Sequence, residues 1–522
     1  MFILFTLSLA LFLIMVLGLL LNWGYILSFN LFSLGSWNWL VNFSLDKVSL
    51  SVLVMLIICF FYAYFYTSHY FCHEDISLGL LKIITLFVVV MGILIFTNDY
   101  LTTLIFWEYL GVVSFFLILF YDNYLSLRSS VITLVSSRFG DVCLFLLIGL
   151  SCYNYNSMVL GLVYFFFILF SKSAGFPFIS WLLEAMRAPT PVSSLVHSST
   201  LVAAGIWFIM RYDLFNFFND IIYFSNLLLI SIFITGISSM FFLDLKKIIA
   251  LSTCNNICWC VLYLIYGNVL LSLFQLISHG VSKCILFMLV GDVMSGSSGS
   301  QASNYVYSTR FYGNWNLFSL VVVILGLSGL PFIGVFFTKH YLLSMLLGVI
   351  NICSFIMILV CMFLSYLYSF RLCIVLTNLK VSNSLGVLFS YESGLITSGW
   401  LFVNFFTFFM LDESVGVDFL LSINLLLVQI ISLILSWLVY DSIIFSNWSS
   451  SLFGCDNLVE MFYSGFYYIM SYFSLLSLRW DNLMVCLFYN LGRNNVLSIF
   501  NSVLLNVLVL SSVSFILFLI IM

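Results

Sequence analysis

Charged side chains and prolines are scarce in this sequence. Only 7% of the 522 residues are charged, with 16 Lys and Arg against 20 Asp and Glu, and proline occurs four times. Soluble domains carry ~25% charged residues, so this composition excludes a water-soluble globule. The net charge of −4 is too thinly spread to form the basic stripe that binds nucleic acid. We therefore expect no nucleic acid among the partners.

Paired cysteine motifs and nucleotide-binding loops are missing as well. The 13 cysteines stand singly, and their one cluster lacks the C-x-x-C spacing of a zinc or iron–sulfur site. The sequence contains neither G-x-G-x-x-G nor a Walker-type loop. Only His69, Cys72 and His73 have a metal-like spacing, and an interfacial loop explains them better. We expect this chain to bind no metal and no redox cofactor.

Long apolar runs take up most of the chain instead. Hydrophobic residues make up 64% of it, and the mean hydropathy is +1.21. Because ~20 helical residues span the hydrocarbon core, the runs predict an all-α polytopic membrane protein with about 15 transmembrane helices. The predicted spans are 1–21, 47–67, 78–97, 101–120, 129–151, 157–175, 191–212, 221–243, 247–265, 268–291, 315–339, 341–378 (two helices), 396–411, 420–440 and 502–522.

The region after the last internal span has a different pattern. Polar residues interrupt residues 445–500 at short intervals, which is too polar for a lipid-embedded helix and too apolar for one in water. This pattern predicts a lateral amphipathic helix that lies along the membrane. Residues 501–522 would follow it as a C-terminal anchor helix.

Two of the predicted helices contain helix-breaking residues. The four prolines fall in two places, each with a lysine nearby: Pro177, Pro189 and Pro191 with Lys172, and Pro331 with Lys339. Proline frees backbone carbonyls, which the membrane interior tolerates only inside protein or along a watery cavity. The prolines therefore predict broken helices near 172–191 and 329–339, and paired broken helices indicate a transport site.

Several ionisable side chains fall deep inside predicted spans, where a functional role is the default interpretation. They are Glu108, Arg138, Asp141, Lys172, His197, His279, Lys283, Lys339 and Arg371. A buried Glu108 paired with a lysine of another helix would form a proton switch.

Spacing groups some of these side chains on single helices. Arg138 and Asp141 are three residues apart, so they form either a purely structural pair or part of the site. Gln275, His279 and Lys283 form a polar stripe, which serves either helix packing or proton transfer.

These residues occur in segments that resemble a known family. The segments 107–108, 138–141, 172–205, 244–253, 279–283 and 329–339 are similar, in this order, to those of the antiporter-like subunits of respiratory complex I. The His197–Thr200 form of the central motif, the length and the lateral segment most resemble the distal one of the three subunits in this family.

The resemblance implies roles for the residues that match. It implies that Glu108 and Lys172 form a coupled pair, that His197, His279 and Lys283 continue a polar axis, and that Lys339 ends it. Arg138, Asp141, the prolines and His340 would support them.

The resemblance also implies a setting. The chain would be a subunit of a proton-translocating NADH:ubiquinone oxidoreductase, and NADH, FMN, iron–sulfur clusters and ubiquinone would be bound by other subunits. Its partners would be neighbouring antiporter-like subunits and lipids of the mitochondrial inner membrane. The heavy use of Phe, with 58 residues, is typical of a thymine-rich organellar gene.

The predicted organisation has six parts. Residues 1–100 form N-terminal helices, 101–220 and 221–345 two antiporter-like halves, 346–444 further helices, 445–500 the lateral helix and 501–522 the anchor.

Some positions depart from the family pattern, namely Arg187, Gln275 and His340, which follows Lys339 where an aspartate is usual. His340 is either an exit relay for protons or an interfacial histidine. Two other functions stay open: the large subunit of a multi-subunit Na⁺/H⁺ antiporter, and a structural membrane-arm subunit that does not pump.

Overall fold

The architecture comes from a computed structural model of the chain. It describes residues 2–20, 23–34, 37–71, 75–152, 158–212, 222–297, 299–307, 314–329, 335–346, 352–379, 419–440, 455–492, 506–507 and 510–511. The chain divides into two compact units, residues 1–455 and 456–522.

The first unit consists mainly of α-helices. Its first half contains α1 Phe2–Leu20, the strands β1 Tyr25–Leu34 and β2 Trp37–Leu45, α2 Lys47–Tyr70, α3 Asp75–Phe96, α4 Tyr100–Leu119, α5 Tyr124–Cys152, α6 Met158–Ser173, α7 Ile179–Ala185, α8 Thr190–Leu195, a π-helix Val196–Thr200 and α9 Leu201–Tyr212. Its second half contains α10 Ile222–Phe241, α11 Leu245–Ile265, α12 Val269–Gly296, a 3₁₀ turn Ser303–Tyr305, α13 Asn314–Ser328, α14 Phe336–Leu346, α15 Ile352–Thr377 and α16 Phe419–Tyr440.

The predicted polytopic helical membrane fold is confirmed. Within the described residues, ten helices are long and apolar enough to cross a membrane, and three shorter apolar helices accompany them. The predicted total of about 15 is not confirmed. Of the predicted spans, 396–411 and most of 502–522 lie outside the described residues. The core lies around α11, α12 and the segment from α8 to α9, because these elements are buried almost along their whole length.

A β-hairpin occupies the interval between the first two predicted spans, which the sequence analysis left unassigned. Strands β1 and β2 pair antiparallel with Tyr25 opposite Leu45, and an irregularity falls between Asn30 and Phe32. At its base, the backbone N–H and the side-chain amide of Asn42 both donate to the Asp99 carboxylate, the latter at 3.0 Å. The hairpin is thereby fastened to the loop between α3 and α4.

Arg211, at the end of α9, also contacts the base of this hairpin. Its guanidinium pairs with the Asp46 carboxylate and donates to the carbonyls of Ser44 at 3.1 Å and Thr97 at 3.3 Å. The side chain of Arg211 is buried, whereas that of Asp46 is 45% exposed. Solvent therefore screens this ion pair only in part, and the two carbonyl bonds add to it.

Replacing Arg211 by methionine should loosen this attachment. The loss of the charged hydrogen bonds should cost about 2 kcal/mol and raise the locally open fraction roughly thirty-fold. Limited proteolysis of native membranes should then cleave residues 21–46 faster. Arg128→Met, at an exposed position of α5, is the matched control. Equal cleavage of both variants would contradict this role of Arg211.

Both predicted helix breaks involve a departure from helical backbone. After α6 ends at Ser173, Ala174 adopts a positive φ of 56°, and the chain passes through α7 before α8 starts at Thr190. After α13 ends at Ser328, Gly329 has a φ of 86°, which glycine adopts without strain, and α14 starts at Phe336. Pro331 lies outside the described residues.

Among its described residues, the second unit has a long helix, α17 Cys455–Gly492. Its 38 residues make a helix about 57 Å long at 1.5 Å per residue. It falls within the predicted lateral segment. Its orientation along the membrane stays a prediction.

Candidate functional site

Lys172 lies where the first helix break begins, in the last turn of α6. Its side chain is fully buried, and Nζ lies 3.7 Å from Oδ1 of Asp141 on α5. The ammonium group also lies 5.3 Å from the centre of the Trp107 ring and 3.5 Å from the Trp107 carbonyl oxygen. A carboxylate, an aromatic face and a carbonyl therefore surround this lysine inside the bundle.

Arg138 connects Asp141 to Glu108. Its Nη1 lies 3.7 Å from Oδ2 of Asp141 and 3.1 Å from Oε2 of Glu108. The Glu108 side chain is 46% exposed and that of Asp141 only 5%, so the four charges run from the flank of the chain to its interior. Lys172 and Glu108, predicted to form a pair, are thus linked through Arg138 and Asp141, and the direct ion-pair partner of Lys172 is Asp141.

A small cavity lies between Lys172 and His197. Its volume of about 10 Å³ is close to the space that one water molecule occupies. Five of the residues that line it carry hydroxyl groups: Ser114, Thr133, Ser136, Ser137 and Ser171. The cavity therefore adjoins two residues that the sequence placed on one axis, and most of its surface is apolar.

The π-helix positions His197 within the second part of the broken helix. It runs from Val196 to Thr200, and the Thr200 hydroxyl donates to the Leu195 carbonyl at 3.0 Å. π-Helical turns are rare and occur mostly at functional sites. His197 is fully buried, and among the described residues neither of its ring nitrogens has a hydrogen-bond partner within standard limits.

The predicted polar stripe on α12 is buried along its length. Lys283 Nζ hydrogen-bonds the Ser252 hydroxyl of α11 and lies 3.4 Å from the Ile249 carbonyl. His279 lies one turn away and is fully buried. At the other end of the stripe, the Thr338 hydroxyl donates to Gln275 Oε1 at 2.8 Å. Gln275 thereby joins α12 to α14.

Lys339 lies at the second break and is also buried. Its Nζ donates to the Ser328 carbonyl and the Ser365 hydroxyl, both at 2.7 Å, and lies 4.5 Å from the centre of the Tyr366 ring. The Ser328 carbonyl is available because α13 ends there. Lys172 and Lys339 thus occupy comparable places, each beside an interrupted helix.

The remaining predicted residues have other surroundings. His340 stacks on Phe336 with ring centres 5.3 Å apart, and its relay role stays a prediction. Arg371 donates to the Ser239 and Phe242 carbonyls at the end of α10, which is a capping contact away from the axis. Pro177 follows the end of α6, Pro189 caps α8, and Pro191 lies in its first turn.

Metal ligation finds no support in the described part of the chain. There, no three His, Cys, Asp or Glu side chains come together in a way that could hold a metal ion. Cys72 and His73, from the metal-like spacing, lie outside the described residues.

The sequence analysis did not identify Asp292, a buried carboxylate near the end of α12 that pairs with His69.

Comparison with known proteins defines the class to which this fold and site belong. Residues 97–367 match the protein-family model described as "NADH:quinone oxidoreductase/Mrp antiporter, TM", so the chain belongs to this family of antiporter-like membrane subunits. The match covers both helix breaks and all the buried lysines discussed above.

The relatives narrow the assignment further. Proteins named NADH-ubiquinone oxidoreductase chain 5 are 32% identical over 393 residues in Anopheles gambiae, 32% over 376 in Anopheles arabiensis and 35% over 343 in Caenorhabditis elegans. These alignments cover 71%, 67% and 64% of this chain, and 66%, 96% and 63% of the relatives. The predicted family membership is confirmed, and chain 5 agrees with the predicted distal member.

Solved structures support the fold. A chain of the Mrp complex from Dietzia sp. DQ12-45-1b superposes with a TM-score of 0.72 at 19% identity, covering 89% of this chain and 57% of that one. A chain of an archaeal membrane-bound sulfane sulfur reductase gives a TM-score of 0.63 at 17% identity, covering 76% and 86%. At these identities the likeness concerns the fold alone.

Proposed function

We propose that this chain is a core membrane-arm subunit of a proton-translocating NADH:ubiquinone oxidoreductase in the mitochondrial inner membrane, encoded in the organelle. One observation carries the proposal: Lys172, Lys283 and Lys339 are buried within the part of the chain that matches the family, and each of them contacts a polar side chain. The chain itself holds no redox cofactor in this proposal. NADH, FMN, iron–sulfur clusters and ubiquinone are bound by its partner subunits.

Lysine suits this task because it both releases and accepts a proton, whereas arginine stays charged. The oxygens around Lys283 and Lys339 belong to hydroxyl and carbonyl groups, which accept hydrogen bonds from an amine and an ammonium alike. These surroundings hold either protonation state in place. When one lysine gains a proton, its positive charge repels the proton on the next lysine. This repulsion is strong because the interior has a low dielectric constant.

The four charges on α4, α5 and α6 provide the input to this axis. Arg138 contacts the carboxylates of both Glu108 and Asp141, and Asp141 also contacts Lys172. When the charge of the partly exposed Glu108 changes, the attraction between Arg138 and Asp141 changes as well. This in turn changes the counter-ion of Lys172. Glu108 thus biases Lys172 across three ion pairs, and a neighbouring antiporter-like subunit is the partner best suited to cover this charged flank.

The axis continues through the two halves that the sequence analysis delimited. We assign residues 101–220 to the half around Lys172 and His197, and residues 221–345 to the half around His279, Lys283 and Lys339. The Gln275–Thr338 hydrogen bond bridges the last two sites. A glutamine amide orients water molecules and hydrogen bonds but does not itself titrate. The step towards Lys339 is therefore a relay across neutral groups.

A multi-subunit Na⁺/H⁺ antiporter is the second candidate, because the matched family description includes Mrp antiporters. Inverted membrane vesicles separate the two functions. We expect NADH oxidation to acidify the vesicle lumen and a Na⁺ pulse to leave the pH gradient unchanged, with this chain co-purifying with flavin and iron–sulfur proteins. Discharge of an imposed pH gradient by Na⁺, together with purification free of flavin proteins, would refute the oxidoreductase assignment.

A further inference from the structure

An ion pair outside the lysine axis lies near one end of the bundle. Nδ1 of His69, in the last turn of α2, lies 3.8 Å from Oδ1 of Asp292 near the end of α12. The histidine side chain is 28% exposed, whereas that of Asp292 is 3% exposed. Burying a carboxylate in an apolar helix is costly, so the presence of Asp292 indicates a functional role. The pair connects an accessible imidazole to a buried acid.

Tyr66 extends this contact inward by one turn of α2. Its buried ring stacks on His69 with centres 5.9 Å apart, and its hydroxyl group lies close to Asp292 and Thr190. Glycine at position 291 makes this approach possible, because a Cβ there would collide with the Tyr66 hydroxyl. The backbone of α12 thus leaves room for a phenol beside the buried acid.

From Thr190, helix α8 leads towards the axis. Thr190 is the first residue of α8, and His197 follows seven residues later, about 10 Å along the helix. One turn after Thr190, Ser194 lies close to the Cys284 thiol of α12, and its hydroxyl donates to the Pro191 carbonyl at 2.8 Å. Cys284 directly follows Lys283 in α12. The segment that begins at this ion pair therefore approaches both His197 and Lys283.

Other ionisable groups lie on the helices around this pair. Helix α2 contributes Tyr66, His69 and Tyr70, whose ring lies 5.9 Å from that of Tyr66. Helix α11 contributes Lys246, which donates to the Ala188 carbonyl at 3.1 Å, just before α8. Helices α8 and α13, which also pack on α12, contain no ionisable side chain. His69 is thus the exposed histidine from which Asp292 can receive a proton.

We propose that His69 and Asp292 form a proton-access relay at the membrane face where α2 ends and α8 begins. The imidazole takes a proton from water on Nε2 and gives the proton on Nδ1 to the Asp292 carboxylate, after a small rotation shortens their contact. Asp292 thereby becomes a neutral carboxylic acid beside the Tyr66 hydroxyl. It returns to the carboxylate when a water molecule on the axis side takes this proton, and a turn of the His69 ring restores the tautomer with its hydrogen on Nδ1. The relay rests on the proposed function, since it supplies the same axis.

The test uses the assembled complex in proteoliposomes with Asp292→Asn, Asp292→Glu and His69→Gln. Loss of the relay should slow NADH-driven proton translocation by at least about tenfold in the Asn and Gln variants, because general acid–base groups contribute about 10²–10⁴-fold. The Glu variant should keep most of the rate. Formate should restore Asp292→Asn and imidazole should restore His69→Gln, as diffusible replacements for the missing groups. Asp122→Asn, at an exposed position with a positive φ that Asn also adopts, is the matched control.

Wild-type rates in both variants would overturn the relay, and so would a loss that neither formate nor imidazole restores in a normally assembled complex. If Asp292→Asn does not assemble, His69→Gln decides by the same criteria, since its side chain is partly exposed. Lys172→Met, measured in parallel, separates the two proposals. When Lys172→Met stops translocation and the relay variants do not, only the relay is refuted; when Lys172→Met has no effect, the proposed function itself is refuted.

Discussion

Replacing Lys172 by methionine should stop proton movement through this chain, and arginine should not restore it. Methionine removes both the charge and the titratable group, and it leaves the buried Asp141 with Arg138 alone at 3.7 Å. Arginine keeps the ion pair with Asp141 but stays protonated at every physiological pH. A lysine that only stabilises the fold would therefore be replaced well by arginine. A lysine that carries protons would not.

The measurement is the number of protons translocated per NADH oxidised in proteoliposomes, normalised to assembled complex. We expect the same reduced ratio for Lys172→Met and Lys172→Arg. Lys247→Met is the matched control, because Lys247 is partly exposed and pairs with Asp244 at 3.3 Å within its own helix turn. Full stoichiometry in the arginine variant would favour the alternative of a structural subunit that does not pump.

Deleting residues 445–522 should reduce the amount of assembled complex before it changes proton chemistry. The described side chains of α17 include many large apolar groups that are exposed in its own unit: Met461, Tyr463, Phe466, Tyr467, Tyr468, Phe473 and Trp480. Apolar surfaces of this extent mark contacts with other proteins or with the membrane. We propose that this helix lies laterally along the arm, with residues 501–522 as its anchor.

Native gels of mitochondrial membranes measure this effect directly. We expect at least about a tenfold fall in assembled complex, because losing a large apolar interface costs well over 1.4 kcal/mol. The remaining complex should keep its proton-to-electron ratio, since none of the lysines on the axis lies in the deleted segment. Normal assembly together with a reduced ratio would contradict the tethering role and assign the segment to the pump itself.

The sequence predicted most of the helices because the membrane imposes a simple length rule. A span needs about 20 apolar residues, so runs such as 47–67 and 101–120 correspond to α2 and α4 within a few residues. The first helix break was predictable because prolines remove backbone donors. The hairpin was not, because its strands depend on contacts with Asp99 and Arg211, which are distant in sequence.

The candidate site also contains some groups of residues that the sequence predicts and others that it does not. Gln275, His279 and Lys283 share one face of a single helix, so local spacing was enough to group them. The link from Glu108 to Lys172 through Asp141 depends on how α4, α5 and α6 pack, which spacing within one helix does not reveal. Asp292 was not predicted as a buried residue, because the apolar run predicted a helix end at residue 291. In the structure α12 continues to Gly296.

The π-helix at Val196–Thr200 gives the chain an unusual kind of sensitivity. A π-turn holds one residue more than the α-helical turn it replaces, so losing one residue there would yield a more regular helix. The flanking helices would keep their mutual orientation, whereas the residues within the turn would be redistributed around the helix. In that shorter chain His197 would no longer face the cavity beside Lys172. A site of this design is thus more vulnerable to a change in chain length than to many changes in side-chain chemistry.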